Sequence, residues 1–175
     1  LTAARNVATP EDVYLKVVRG KTAALFAAAT EVGAVIAGRD DTVVRALATY
    51  GDALGIAFQI ADDLLDYGGL ANVTGKNVGD DFQDGKITLP VIKAIAAANA
   101  DERAFWIRTL EKGRYEEGDL EQALEHLNRH GALEATRADA LGWAARAKEA
   151  LTALPGPPIR YILEDLADYV VARVA

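Results

Sequence analysis

Apolar side chains recur along this chain at three- and four-residue intervals, and no segment alternates apolar and polar residues between hairpin turns. The first rhythm belongs to helices packed by one face and the second to strands, so the pattern predicts an all-α protein. Residues 1–6 read as the tail of an earlier helix. Thr9-Pro10-Glu11-Asp12 reads as a helix start, with a capping threonine, a proline in the first turn and acids at the positive end of the dipole. That helix should run to about Ala37 and stop at Gly38. Asp40, Asp41 and Thr42 then cap a long helix with Val44, Leu47, Leu54, Phe58, Ala61 and Leu65 on one stripe. It ends near Tyr67, at Gly68-Gly69.

The stretch holding Gly68, Gly69, Gly75, Gly79 and Gly85 reads as an exposed, mobile loop. Helix resumes at Thr88-Leu89-Pro90 and runs through Ala98; a further segment covers about Glu102 to Lys112. Asp119 and Gln122 suggest a capping box for a helix stopped by Gly131. Ala132–Leu154 is predicted helical, Pro155-Gly156-Pro157-Pro158 breaks it, and Ile159, Ile162, Leu163, Leu166 and Val170 share one face of the last helix. No repeat or shift of composition marks a domain boundary, and 175 residues fit one domain.

With 19 basic and 26 acidic residues the net charge is −7, which argues against nucleic acid or an anionic membrane as the main partner. The absence of cysteine excludes disulfides and thiol chemistry, and two histidines exclude a site built on several. His126 and His130 read as surface residues of a late helix. No run reaches the roughly 18 apolar residues of a membrane span. The nearest candidate, Ala23 to Ala37, is broken by Glu31, so no stable membrane insertion is expected. Without a signal-peptide pattern the default expectation is the cytoplasm. A chain that begins at Leu1 and contains no methionine is expected to be a fragment or a processed product.

The chemistry concentrates on the second long helix. Gln59, Asp62, Asp63 and Asp66 stand at i, i+3, i+4 and i+7, and Asp52 falls on the same stripe. Like charges one turn apart repel, and no Lys or Arg lies between Arg45 and Lys76 to relieve them. A hard cation such as Mg²⁺ would, since it takes one or two carboxylates and fills its shell with waters and phosphate oxygens. A solvated acidic face is the plain alternative; the apolar neighbours Leu54 to Phe58 and Leu64-Leu65 favour a lined cavity instead. In the following loop Lys76, Asp80, Asp81, Asp84 and Lys86 sit among glycines, which admit close approach to a phosphate. Gly75-Lys76 is not a P-loop, because Leu70 and Asn77 occupy positions that need Gly and Ser or Thr. In the first helix, Arg19-Gly20-Lys21-Thr22 places a lysine either as an anion contact or as a side chain snorkelling from a helix edge.

These blocks resemble the trans-isoprenyl diphosphate synthases, the polyprenyl synthetase family. Phe58-Gln59-Ile60-Ala61-Asp62-Asp63-Leu64-Leu65-Asp66 looks like the family's second aspartate-rich motif, and Gly20-Lys21-Thr22 like its lysine-threonine motif. Thr74 to Asp81 with Gly85-Lys86 looks like its diphosphate loop, and Leu89-Pro90 like the start of the next helix. The wording of the loop and of Glu117-Gly118-Asp119-Leu120 is most similar to bacterial long-chain, octaprenyl to decaprenyl, enzymes that make quinone tails. The resemblance implies that residues 1–175 are the C-terminal portion of a single all-α prenyl synthase domain, a partial isoprenoid-synthase helical bundle lacking its N-terminal helices.

The implied reaction condenses an allylic diphosphate with isopentenyl diphosphate. The implied metal set is Asp62, Asp63, Asp66 and Asp81, with the choice between Asp80 and Asp81 open. Lys21, Lys76 and Lys86 would hold the allylic diphosphate, and Thr22 and Gln59 would line the reacting centre. The family's first aspartate-rich motif and its isopentenyl site are missing, so the chain alone is expected to be inactive. The family is usually a homodimer, and missing interface helices would leave surplus apolar surface. Three alternatives remain: a terpene cyclase, whose second metal motif differs from DDLLD; a non-catalytic subunit regulating another synthase; and an acidic helical interaction module.

Overall fold

A computed structural model describes residues 5–68, 78–154, 156 and 158–174. All regular structure among the described residues is helical, as the apolar rhythm predicts. The elements are α1 (Glu11–Val18), α2 (Ala24–Ile36), α3 (Asp41–Leu65), α4 (Asp80–Gln83), α5 (Leu89–Ala97), α6 (Ala100–Trp106), α7 (Asp119–Arg129), α8 (Ala132–Ala150) and α9 (Ile159–Ala172). The chain divides into two compact units, one of residues up to Tyr14 with Asp62–Arg137, the other of Leu15–Ala61 with residues from Ala138 onward.

The second unit is built on close approach of α2 and α3. A Cβ on Gly55 would lie 2.6 Å from Ala23 Cα, and one on Gly51 2.6 Å from Ala27 Cα, so the two backbones meet where α3 has no side chains. Thr30 Oγ1 crosses this contact and donates to Leu47 O at 2.6 Å. Asp40 Oδ1 accepts from Thr42 N and Val43 N, which starts α3 as predicted. The buried face of α3 is wider than the predicted stripe: Tyr50, Ile56 and Ile60 have no exposed surface, and the Tyr50 hydroxyl donates to Leu163 O at 2.8 Å.

The single helix predicted from Thr9 to Ala37 is interrupted by a π turn at Arg19–Ala23. Gly38, with φ +62, ends α2 as expected. The apolar face predicted for α9 faces solvent at Ile159, Ile162 and Leu166, while Ala167, Val170 and Val171 are buried. On α2, Leu25 and Ile36 are 76% and 81% exposed. Both helices thus present apolar side chains to solvent.

The core of the first unit gathers Val7, Tyr67, Phe82, Phe105, Trp106, Leu110 and Leu127. Phe82 belongs to the predicted exposed loop but is 1% exposed, with its ring 5.4 Å from Tyr115 and 6.4 Å from Phe105. The loop is therefore packed at this end; its part holding Gly69, Gly75 and Lys76 lies outside the described residues. Of the predicted tail, residues 1–4 also lie outside them, and Arg5 and Asn6 are not helical.

The predicted capping box at Asp119 is not formed. Asp119 instead accepts from both Arg108 guanidinium nitrogens at 2.8 and 2.6 Å and from Glu116 N. A capping box does form at Asn99–Glu102. Glu102 also accepts from Arg129 and pairs with His130 at 2.8 Å. Hydrogen bonds, first from Asn99 N–H and then from His130, hold its carboxyl down at about 2. His126 is not a surface residue but 4% exposed, edge-on to Phe105, and burial lowers its pKa.

Replacing Gly55 by alanine should lower the unfolding free energy by about 1–3 kcal/mol, since overpacking against a backbone outweighs the gain in helix propensity. Gly33 has nothing within 4 Å of a built Cβ, and Gly33→Ala should raise stability by about 0.5–1 kcal/mol. Urea denaturation of the two variants checks both signs.

Candidate functional site

Three aspartates lie at the C-terminal end of α3 and just beyond it, in the first unit. Asp63 is 5% and Asp66 8% exposed, whereas Asp62 is partly exposed. Each buried carboxylate has a protein donor. Asp63 Oδ2 accepts from the Tyr14 hydroxyl at 2.7 Å. Burial, and then the Asp63 charge, push the tyrosine far above its ordinary range, so it remains a donor throughout the physiological range. Asp66 Oδ2 accepts from Asp81 N at 3.0 Å, and Asp66 O accepts from Gly79 N at 2.9 Å. This double attachment hangs the turn before α4 on the end of α3. Gly79 takes φ +85 there, a left-handed backbone that favours glycine.

Burial raises Asp66 from 3.8 to about 6; the Asp81 N–H opposes the shift, and the Asp81 and Asp80 charges add to it. Asp81 Oδ1 in turn accepts from Lys86 Nζ at 2.7 Å, and Asp84 Oδ2 lies 3.0 Å from the same nitrogen. These bonds raise the lysine above its ordinary value, so it is a fixed cation at the rim of the turn. Asp80-Asp81-Phe82-Gln83-Asp84 repeats the DDxxD spacing of the α3 motif, a pattern visible in the sequence. Among the described residues no three His, Cys, Asp or Glu side chains form a ready-made metal cage. Tyr14, Asp81 N and Lys86 each hold one acid. The set still fits a hard cation that needs one or two carboxylates and completes its shell with water and phosphate oxygens.

In the second unit the π turn carries Lys21 and Thr22. A π turn widens the helix by one residue and re-aims its side chains. Thr22 Oγ1 donates to Gln59 Oε1 at 2.9 Å, joining two residues singled out separately in the sequence. Lys21 is exposed. Asp52, read as part of the acidic stripe, is bound by Arg19 Nε at 3.1 Å, so a base from another helix has drawn it off. Phe58 beside Gln59 packs at 5.5 Å against Phe26, with the Arg173 guanidinium 5.6 Å from its ring centre.

The structure therefore pairs Thr22 with Gln59, and Asp66 with Asp81 and Lys86. Asp80 is partly exposed in α4, and Lys76 lies outside the described residues. Sequence reasoning missed Tyr14, whose only signal is its place seven residues before Lys21 on the same apolar rhythm.

The sequence profile of the Polyprenyl synthetase family matches residues 1–127. An octaprenyl diphosphate synthase from Escherichia coli (strain K12) is 43% identical over 164 residues, 93% of this chain and 50% of that protein. A decaprenyl diphosphate synthase from Rhodobacter capsulatus superposes with a TM-score of 0.94 at 61% identity, over 99% of this chain and 54% of that one. A polyprenyl synthase from Caulobacter crescentus CB15, complexed with calcium and isoprenyl diphosphate, superposes with a TM-score of 0.92 at 45% identity, over 99% and 53% of the two chains. The chain thus spans about half the length of the relatives it matches. The family profile covers most of its residues and the helical architecture superposes on solved members, and the chain belongs to the polyprenyl synthetase family.

Proposed function

We propose that this chain supplies the allylic-diphosphate half of a Mg²⁺-dependent polyprenyl diphosphate synthase that condenses isopentenyl diphosphate with an allylic diphosphate, for quinone side chains. The observation that carries this reading is the turn hung on Asp66, which sets Asp81 and Lys86 beside the aspartate-rich end of α3. An acid–base pair on a backbone-anchored turn is suited to a phosphate and its counter-ion. The calcium and isoprenyl diphosphate in the Caulobacter relative support the same ligand classes. The octaprenyl and decaprenyl relatives support a long product.

In this reading Asp62 and Asp66 would bind the cation, with Asp63 nearby and Asp81 or Asp80 assisting through water. Magnesium, when bound, offsets the charge that diphosphate gathers as it leaves. Lys21, Lys76 and Lys86 hold the diphosphate oxygens, and their charge stabilises the same departure. Thr22, fixed by Gln59, presents its hydroxyl oxygen to the carbon that turns cationic. The departing diphosphate takes the proton lost after isopentenyl diphosphate attacks, so no protein base is needed. The 175-residue chain holds one family metal motif of two and does not turn over by itself. Retention of DDLLD disfavours both the cyclase and the regulatory-subunit readings.

Joined to the N-terminal half of the Rhodobacter capsulatus decaprenyl synthase, the chain should give a long-chain product from radiolabelled isopentenyl diphosphate. Asp62→Ala or Lys21→Ala in that fusion should lower kcat/KM by about 100-fold or more. No product from the fusion, or robust turnover by the 175-residue chain alone, would contradict the proposal. A second expectation follows from Asp66. Its folded-state value, about 6, lies above the unfolded 3.8, so folding takes up a proton in that window. The metal-free chain should therefore lose stability as pH rises from 3.8 through about 6, and Asp66→Asn should remove that loss. Mn²⁺ affinity should move the opposite way, rising over the same window in the parent chain.

A further inference from the structure

Arg5 reaches the turn that carries Lys86 from outside it. The strap that delivers Arg5 is anchored. Val7 is buried in the core that also holds Phe82, Val7 N donates to Glu111 Oε2 at 3.4 Å, and Thr9 Oγ1 donates to Asn6 O at 2.6 Å. From there the Arg5 guanidinium lies over two glycines. A Cβ on Gly85 would be 3.0 Å from Arg5 Cζ and Nε, and one on Gly113 2.9 Å from Nη1. The flat group thus fills the space that side chains at both positions would take. Arg5 Nη2 donates to Asp84 O at 3.3 Å, across 79 residues of sequence. Asp84 is therefore held twice, at its carbonyl by Arg5 and at its carboxylate by Lys86 Nζ at 3.0 Å. Gly85 N to Phe82 O at 3.0 Å and Lys86 N to Asp81 O at 2.9 Å close the same turn.

We propose that Arg5 is a positioning residue for Lys86: it clamps the Asp84–Gly85 peptide against the Gly113 turn and so fixes where the Lys86 ammonium stands for a diphosphate oxygen. This rests on the reading that Lys86 holds diphosphate. A lysine is a point charge on a flexible stem, so its place in a site is set by the partners at its head and by the backbone that carries it. Asp81 and Asp84 supply the head partners. The backbone follows a glycine at φ +71, the residue type with the widest conformational freedom. Arg5 restricts that backbone from one side, because a guanidinium has a fixed donor fork and a flat face. Arg5 and its bond to Asp84 are exposed, so the clamp adds little to global stability and acts locally.

Isothermal titration of inorganic pyrophosphate with Mg²⁺ into the 175-residue chain reads the clamp through a double-mutant cycle. Arg5→Ala should weaken binding about five-fold while its urea midpoint stays that of the parent. In a Lys86→Ala background the same substitution should have no further effect, because no lysine is left to position. Arg5→Lys keeps the charge but loses the flat fork, and should weaken binding as Arg5→Ala does. Should Arg5→Ala not fold, Arg5→Lys takes its place in the cycle. Amide exchange of the metal-free chain reads the turn without ligand: Arg5→Ala should speed exchange at Gly85 and Lys86 and leave the buried Trp106 unchanged. Unweakened binding in either Arg5 variant, a loss that is the same with and without Lys86, a loss that comes with a lowered urea midpoint, or unchanged exchange at Gly85 and Lys86 overturns the assignment. A parent chain that takes no pyrophosphate overturns the diphosphate reading, and the proposal with it, whatever the exchange shows.

Discussion

The first unit depends on one buried carboxylate. Asp66 closes α3 and, through its side chain and its carbonyl, fixes the backbone of Asp81 and Gly79. An acid 8% exposed has lost most of its water and would be costly in a folded chain without a hydrogen-bond donor. Its cost is offset by the Asp81 N–H, and the bond that offsets it also orders the turn. Phe82 then drops into the aromatic cluster, Tyr115 donates to Phe82 O at 2.9 Å, and Lys86 returns to Asp81. Sequence-distant groups are thereby set in one geometry before any ligand arrives, and such preorganisation is what charge stabilisation requires.

A different device shapes the second unit. Two glycines on α3 let α2 come within backbone contact, and Thr30 uses the approach to reach Leu47 O. The π turn at Arg19–Ala23 ends at this contact, where Ala23 meets Gly55. It interrupts the regular helix at the residues that carry Lys21 and Thr22, and Thr22 meets Gln59 across it. A mid-helix glycine at position 20, with nothing within 4 Å of a built Cβ, is explained by neither packing nor a left-handed backbone.

Much of this was legible in the sequence because it is periodic. The DDLLD spacing, the Gly38 and Gly131 stops and the proline opening α5 follow from local rules, and the structure agrees with them. The misses share a cause, which is that a distant partner overrode a local rule. Asp119 has the spacing of a cap but is taken by Arg108; Asp52 has the spacing of the acidic stripe but is taken by Arg19. His126 looks solvated on its own helix, yet aromatic residues from α6 enclose it. Phe82 sits among loop-forming residues, and only the tertiary cluster shows it to be core. The π turn had one hint, Gly20, and the partner of Asp63 had almost none, since nothing local ties a tyrosine to an acid 49 residues away.

The proposed function requires the acids at the end of α3 and Lys86 to form a cation-dependent diphosphate site rather than a solvated acidic face. Isothermal titration of inorganic pyrophosphate into the 175-residue chain tests it directly. Saturable binding in Mg²⁺ that vanishes when EDTA replaces the metal is the predicted result. Equal binding in EDTA, or none under either condition, would contradict it.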